Sequence, residues 1–121
     1  MITSLRPNDI FVFGSNLAGK HMGGAALAAK QWGAEDGIGE GLTGQCYAFP
    51  TLDADLQRRS QEDLEWSVKE LYRVARANPD KTFLLTKVGC GIAGYAEGFI
   101  RNLFLNAPAN IELPEDWQSL P

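Results

Sequence analysis

Two glycine-rich segments are the parts of this chain whose residue types and spacing suggest chemistry. The first, at 14–24, follows an apolar run at 10–13 and precedes an alanine-rich stretch. The second, at 89–94, follows the largely apolar run at 82–88 and precedes a helical pattern. A strand, a glycine loop and a helix in this order present bare backbone N–H groups to a phosphate-bearing ligand. Two such turns in so short a chain predict one site with two walls.

Each glycine segment alone also matches a better-known nucleotide motif. Residues 14–21, GSNLAGKH, are one residue short of a Walker A sequence, but His21 replaces the Ser or Thr that would hold magnesium. Histidine suits so hard a cation poorly, which disfavours a phosphate-hydrolysing P-loop enzyme. Residues 89–94 match the GxGxxG dinucleotide fingerprint, with Glu112 at about the right interval for a ribose contact. That fingerprint normally opens its nucleotide-binding unit, whereas few residues follow Glu112 here, so a redox cofactor is the less favoured alternative.

Several other side chains have the chemistry of acid–base or nucleophilic groups. His21, the only histidine, can be interpreted as a surface loop residue, a ligand contact or a general acid–base. Asp53 and Glu40 are candidate carboxylates, although carboxylates in loops are more often simply solvated. Cys90 precedes a predicted helix whose N-terminus could lower the pKa of the thiol. The simpler interpretation is that Cys90 is a small residue in the wall of the binding site and not a nucleophile.

The elements that must position these residues follow from the hydrophobic pattern. The predicted strands are residues 10–13, 46–49, 82–88 and 110–113. The predicted helices are residues 22–32, 61–77 and 96–104, and residues 37–44 are predicted to be loop. Pro50 and Pro114 are expected to end the second and fourth strands, and Ser60 with Asp63 resembles a capping box. The pattern predicts an α/β fold with a mixed, mostly parallel sheet, in which both glycine loops lie at the carboxyl ends of strands.

Composition and charge limit the class of protein. The 121 residues are 45% hydrophobic and 21% charged, which is typical of a single globular domain spanning 1–121. The net charge of −4 disfavours binding to nucleic acid duplexes, because duplex-binding proteins need a basic face. No apolar run approaches the roughly 20 residues that cross a bilayer, and the N-terminus lacks a secretion signal. We therefore expect no membrane partner and a cytoplasmic location.

The two cysteines do not indicate a metal site. Cys46 and Cys90 belong to no CxxC pair and to no cysteine–histidine cluster, so structural zinc is not expected. In a cytosolic protein, buried free thiols are the expected state.

Taken as a pair, the glycine segments resemble the ligand-binding loops of macrodomains. Residues 16–29, with Gly33, are similar to that family's first loop and helix: an Asn, a short spacer, a glycine cluster and a helix of small residues. Residues 89–95 are similar to its second loop, which wraps a diphosphate. Residues 44–51 resemble the segment leading into a central strand. More closely, the runs FVFGSN, YAFPT and VGCGIAGY are similar to a group of small bacterial and phage macrodomain-like proteins, over residues 10 to about 117.

The resemblance implies a three-layer α/β/α domain that binds ADP-ribose or a related nucleotide diphosphate and needs no metal or cofactor. Backbone N–H groups of 89–94 would bind the diphosphate, with Ile92 and Ala93 covering it. Asn16 would hydrogen-bond the distal ribose, which Tyr95 would border. The ligand-binding residues that the resemblance implies are Gly14, Ser15, Asn16, His21, Gly23, Gly24, Gly89, Cys90, Gly91, Ile92, Ala93, Gly94 and Tyr95.

Two departures from the family pattern bear on activity. Hydrolytic macrodomains usually carry an Asp just after the glycine cluster, where this chain has Ala25 and Ala26. The family's adenine-recognising Asp has only a loose counterpart in Asp9. We therefore expect binding of a small nucleotide ligand, with two alternatives. One is a hydrolase of ADP-ribosyl groups or a nucleotide-derived small molecule that uses His21 and a nearby carboxylate, and the other is an interaction module with a vestigial cleft. Acidic side chains in the cleft would favour the hydrolase. A cleft filled by the side chain of a Trp or Leu would favour the interaction module.

Overall fold

The computed structural model describes residues 2–118, which form one mixed sheet with helices beside it. The strands are β1 (Asp9–Asn16), β2 (Gly41–Thr43), β3 (Cys46–Leu52), β4 (Thr82–Leu85) and β5 (Ile111–Glu112). The helices are α1 (Gly24–Ala29), α2 (Gln61–Ala77) and α3 (Glu97–Leu103), with short 3₁₀ turns at Lys30–Trp32 and Glu115–Trp117. The predicted α/β fold is confirmed.

The order of the strands places both glycine segments side by side. The sheet runs β2-β3-β1-β4-β5. β1 pairs in parallel with β3 and β4, β4 pairs in parallel with β5, and β2 is antiparallel to β3 at one edge. Val12 of β1 lies between Tyr47 of β3 and Leu85 of β4. The segments that follow β1 and β4 therefore leave adjacent strands at the same end of the sheet, where α/β folds collect ligands.

Apolar residues cover both faces of the sheet. Alternate residues of β1 point to opposite faces, so that Val12 packs in the cluster shared with α2 and α3 while Phe13 packs in the cluster shared with α1. Both residues are fully buried. Burial on both faces explains why the strand is a continuous apolar run, as is typical of parallel sheets between helices. This arrangement is compatible with three α/β/α layers.

Helix α2 forms where the cap and the apolar stripe predict it. The Ser60 side chain accepts a hydrogen bond from the Asp63 N–H at 3.1 Å and so satisfies a donor of the first turn. The buried stripe includes Leu64, Val68, Leu71 and Ala75. At the other end, the Asn78 side-chain amide donates to the Val74 carbonyl at 2.8 Å. The predicted helix 61–77 is confirmed.

Two predictions around the second and third strands are wrong. Pro50 does not end β3, which continues to Leu52. Pro50 lies opposite Ser15, and the next pair is Asn16 with Leu52, so Thr51 is an extra residue in β3. A proline, which lacks an N–H, is tolerated where the ladder is interrupted in this way. Residues 41–43, predicted to be loop, form β2 through antiparallel pairing such as Leu42 with Tyr47.

Other element ends are shifted from their predicted positions. β4 ends at Leu85, and the next residue, Thr86, donates both its N–H, at 3.2 Å, and its hydroxyl, at 2.8 Å, to the Val12 carbonyl. Helix α1 begins at Gly24 and gives way to the 3₁₀ turn, which ends as predicted at Gly33 with a φ of 96°. The last predicted strand is reduced to β5, and the last predicted helix to α3.

Candidate functional site

The two glycine segments line a single cleft of about 460 Å³ at the carboxyl ends of β1 and β4. That volume lies in the range of small-molecule sites. The residues of the expected set that line it are Gly14, Ser15, Asn16, Gly23, Gly24, Gly89, Gly91, Ile92 and Ala93. Thr51 and Leu52 at the end of β3 also contribute to the lining.

The two segments come close to each other at Gly14 and Gly89. A Cβ added to Gly14 would lie 3.3 Å from the Gly89 nitrogen. Gly89 has a φ of +76°, and a Cβ there would lie 2.9 Å from Tyr95 Cδ2 and 3.1 Å from Thr51 Cγ2. Glycine is required at 89 because both the left-handed backbone and the space exclude a side chain.

The second glycine segment has a surplus of backbone donors. Two hydrogen bonds close the loop on itself, from Gly94 N to the Gly91 carbonyl at 3.0 Å and from Tyr95 N to the Gly89 carbonyl at 2.9 Å. Within residues 2–118, the N–H groups without a protein acceptor in this loop are those of Gly89, Gly91, Ile92 and Ala93. All four of these residues line the cleft. Successive free N–H groups in a concave loop form a binding site for an anion.

The first glycine segment is shaped by Asn16. Its side-chain amide donates to the Lys20 carbonyl at 2.9 Å and its side-chain oxygen accepts from the Lys20 N–H at 3.1 Å. One amide hydrogen and one lone pair remain for a ligand. Ser15 is buried, and its hydroxyl donates to the Gly39 carbonyl, which ties this segment to the loop before β2.

His21 lies in the core, so its interpretation as a surface loop residue is wrong. The ring is fully buried, with Nε2 3.0 Å from the Glu35 carbonyl and its edge against Phe13 at a centroid distance of 5.0 Å. Nδ1 has no hydrogen-bond partner among the described residues. The His21 N–H donates to the Asp36 carboxylate at 3.2 Å, so residues 35–36 fold over the ring. His21 does not line the cleft; its contacts hold the first glycine segment in place.

The candidate carboxylates also lie outside the cleft lining. One Asp53 oxygen accepts from the N–H groups of Asp55 and Gln57, both at 2.9 Å, in a local turn. Glu40 accepts from the Ser67 hydroxyl at 2.7 Å, in a separate depression beside α2. The residues that line the cleft include no Asp, Glu or His. The structure thus does not bring His21, Asp53 and Glu40 together there.

Cys90, Gly94 and Tyr95 support the second segment without lining the cleft. Burial, and to a smaller extent Glu97, raises the pKa of the Cys90 thiol, so the considered lowering is wrong. Cys90 does not lie in the first turn of a helix, since α3 begins only at Glu97, and desolvation by burial is the largest effect on its thiol. Tyr95 donates its hydroxyl to the Thr51 carbonyl at 2.7 Å and stacks on another aromatic ring, Phe99, at 5.9 Å.

The cysteines are both free thiols, as expected. Cys46 is fully buried under α1, and burial raises the pKa of its thiol to about 11. Cys90 is only half-buried.

The cleft is also lined by two lysines that the sequence did not indicate as site residues. Lys20 is exposed in the first segment, and Lys87 lies two residues after the end of β4. Lys87 Nζ lies 2.6 Å from Asp116 and 2.9 Å from Glu97, which raises its own pKa and lowers those of both carboxyls. The signal that could have indicated Lys87 is its position at the carboxyl end of a central strand.

Within the described residues, 2–118, no three His, Cys, Asp or Glu side chains are grouped so as to hold a metal ion. In the same part of the chain, none of the helices combines the length and apolar character needed to span a bilayer.

Comparisons of the chain with models of known protein families, with curated proteins and with solved structures gave no match. The resemblance of the two glycine segments to macrodomain loops therefore rests on their own residues.

Proposed function

We propose that the cleft binds ADP-ribose or a related nucleotide diphosphate through the second glycine segment. The observation that carries this proposal is the set of four N–H groups, at 89 and 91–93, that line the cleft without a protein acceptor. The oxygens of a diphosphate are ionised, and hydrogen bonds from N–H groups to ionised acceptors are about twice as strong as neutral ones.

The side chains of the cleft add positive charge and no negative charge. Lys20 and Lys87 are its only ionisable lining residues within the part of the chain that the structure describes. The charge of Lys20 is opposite in sign to the net charge of −4 of the whole chain. Lys87 shares its charge with Glu97 and Asp116, so Lys20 is the more available of the two cations.

Apolar side chains at the cleft supply surface for the ribose and base of such a ligand. Met22 is 75% exposed, Ile92 is 90% exposed and Leu56 is 48% exposed, and all three line the cleft. The position of a Cβ on Gly23 lies 3.6 Å from Ile92 Cδ1, so the two walls come close at this point. Clustered exposed apolar residues in a concavity are typical of ligand sites.

The alternatives receive less support from the same lining. A hydrolase needs an acid–base group near the bond that is broken, and the lining has no carboxylate and no histidine. An interaction module with a vestigial cleft would be expected to fill it with side chains, whereas about 460 Å³ is open. Binding without turnover is therefore the function we favour.

Calorimetric titration with ADP-ribose tests the proposal, using Gly91→Glu as the disruptive variant. A Cβ at Gly91 would have no neighbour within 4 Å, and its φ lies outside the left-handed region, so the ligand-free fold accepts the change. The new carboxylate would compete for the free N–H groups and repel the diphosphate. Gly98→Glu is the matched control, since Gly98 is equally open, lies in α3 and does not line the cleft.

We expect the wild type and Gly98→Glu to bind alike and Gly91→Glu to bind at least about tenfold more weakly, a difference of about 1.4 kcal/mol. No heat from the wild type with ADP-ribose or with close nucleotide analogues would sink the proposal. Equal binding by both variants would mean that the ligand lies elsewhere. Incubation with an ADP-ribosylated protein then separates the functions, because released ADP-ribose indicates a hydrolase and an intact conjugate indicates a binding module.

A further inference from the structure

The Arg58 side chain connects the loop after β3 to the second glycine segment. Its Nε donates to the Ala93 carbonyl and its Nη2 to the Gly94 carbonyl, both at 2.8 Å. The guanidinium carbon also lies 5.3 Å from the centre of the Tyr95 ring. Hydrogen bonds from a guanidinium are charge-assisted and its planar fork is rigid, so this contact holds two carbonyl groups in a defined relation.

These bonds fix the direction of two successive peptide planes. In a trans peptide, the carbonyl and the following N–H point in opposite directions. Because the Ala93 carbonyl accepts a hydrogen bond from Arg58, the Gly94 N–H points the other way and donates to the Gly91 carbonyl at 3.0 Å. In the same way, because the Gly94 carbonyl accepts a hydrogen bond from Arg58, the Tyr95 N–H donates to the Gly89 carbonyl at 2.9 Å. The guanidinium and the internal bonds of the loop therefore stabilise the same two peptides.

Arg58 is itself anchored through the next residue. The Arg59 N–H donates to the Tyr95 hydroxyl at 2.8 Å, and that hydroxyl donates to the Thr51 carbonyl at 2.7 Å. The Arg59 guanidinium donates to the buried Ser67 hydroxyl of α2 at 2.8 Å. The backbone that carries Arg58 is thus tied to the end of β3 and to α2, which makes Arg58 a fixed support.

We propose that Arg58 is the positioning residue of the diphosphate site. It holds the second glycine segment in the conformation that turns carbonyls to the guanidinium and leaves the N–H groups at 89 and 91–93 free. Arg58 lies outside the lining of the cleft itself but lines an adjoining depression that shares Leu52, Leu56, Ile92 and Ala93 with it. Because the bonds of its guanidinium go to the carbonyls of the loop, we infer that it acts through the loop. This inference rests on the proposed function. A cation acting by charge alone would be replaceable by lysine, whereas a fork that holds two carbonyls would not.

The variants Arg58→Ala and Arg58→Lys test the inference, with Arg73→Lys as the matched control. Arg73 pairs with Glu70 on the exposed face of α2, so its replacement makes the same chemical change away from the loop. Two quantities are measured: the affinity for ADP-ribose by calorimetry, and amide hydrogen exchange at Gly94 and Tyr95 in the ligand-free protein. We expect both Arg58 variants to bind at least about tenfold more weakly and to exchange faster at these amides, and Arg73→Lys to do neither.

Wild-type affinity in Arg58→Lys would overturn the inference, because the residue would then act as a charge. Unchanged exchange at Gly94 and Tyr95 in both Arg58 variants would overturn it as well. If Arg58→Ala fails to fold, Arg58→Lys decides alone, with its melting temperature as a check on the fold. If the wild type binds no ADP-ribose, the proposed function fails, while the exchange data still decide whether Arg58 holds the loop.

Discussion

Replacing Gly89 with alanine would test whether this position of the second glycine segment accepts only glycine. Gly89 has a φ of +76°, and an added Cβ would lie 2.9 Å from Tyr95 Cδ2 and 3.1 Å from Thr51 Cγ2. Tyr95 has little freedom to move away, because its hydroxyl is bonded to the Thr51 carbonyl and its ring stacks on Phe99. The backbone of the loop must therefore shift.

Two effects of Gly89→Ala lower the free energy of unfolding, and a third partly offsets them. A left-handed conformation costs an L-residue about 1–2 kcal/mol, and overpacking costs about 1–3 kcal/mol. The lower freedom of alanine in the unfolded chain offsets about 0.4–1 kcal/mol. We expect the free energy of unfolding to fall by about 2–4 kcal/mol. Since domains of this kind are stable by about 5–15 kcal/mol, the variant still folds.

Urea unfolding followed by tryptophan fluorescence measures this difference. With a denaturant slope of about 2 kcal/mol/M, the midpoint of Gly89→Ala should fall by about 1–2 M. Gly91→Ala is the control, because its added Cβ meets nothing within 4 Å and its φ is not left-handed. Its unfolding free energy should change by no more than about 0.5 kcal/mol. Equal midpoints for the two variants would refute the reasoning about space and backbone at Gly89.

Two further predictions concern stability. Ser60→Ala removes the acceptor of the Asp63 N–H and should lower the unfolding free energy by about 1 kcal/mol in urea; an unchanged midpoint would contradict the cap. Lys87 lowers the folded-state pKa of Asp116 and Glu97, so these carboxyls add stability above their ordinary pKa of about 4, which is lost as pH falls through the lowered values. The melting temperature of Lys87→Gln should therefore lie below that of the wild type at neutral pH and approach it under acid conditions, and a constant gap would contradict the pairing.

The parts of the fold that local signals determine can be predicted from the sequence. Helix α2 is such a case, because the Ser60 cap and the stripe that starts at Leu64 lie within one continuous segment. Strand β2 is not, because Leu42 becomes a strand residue only through its pairing with Tyr47. Pro50 belongs to the same class, because whether a proline ends a strand depends on its pairing with the neighbouring strand, and here the register with β1 shifts directly after Pro50.

The candidate site, like the fold, has features that the sequence indicates and features that depend on contacts between distant segments. The glycine segments can be recognised because a cluster of glycines between a strand and a helix indicates close backbone approach, and Gly14 and Gly89 do approach each other. The burial of His21 could not be predicted, because it depends on the turn at Glu35 folding over the ring. Arg58 was missed for a related reason. An arginine in a polar connection gives no pattern that indicates which carbonyls it will reach.

The parallel pairing of β1 with β4 has a consequence for how this scaffold can diversify. Neighbouring strands lie about 4.8 Å apart, and the two glycine segments inherit that spacing where they begin. The width of the cleft at its base therefore belongs to the sheet and cannot drift without disturbing the core. Lys20, Met22 and Leu56 line the same cleft but are exposed, so replacing their side chains removes little buried surface. A new ligand preference can thus arise at these residues while the stability of the domain is left intact.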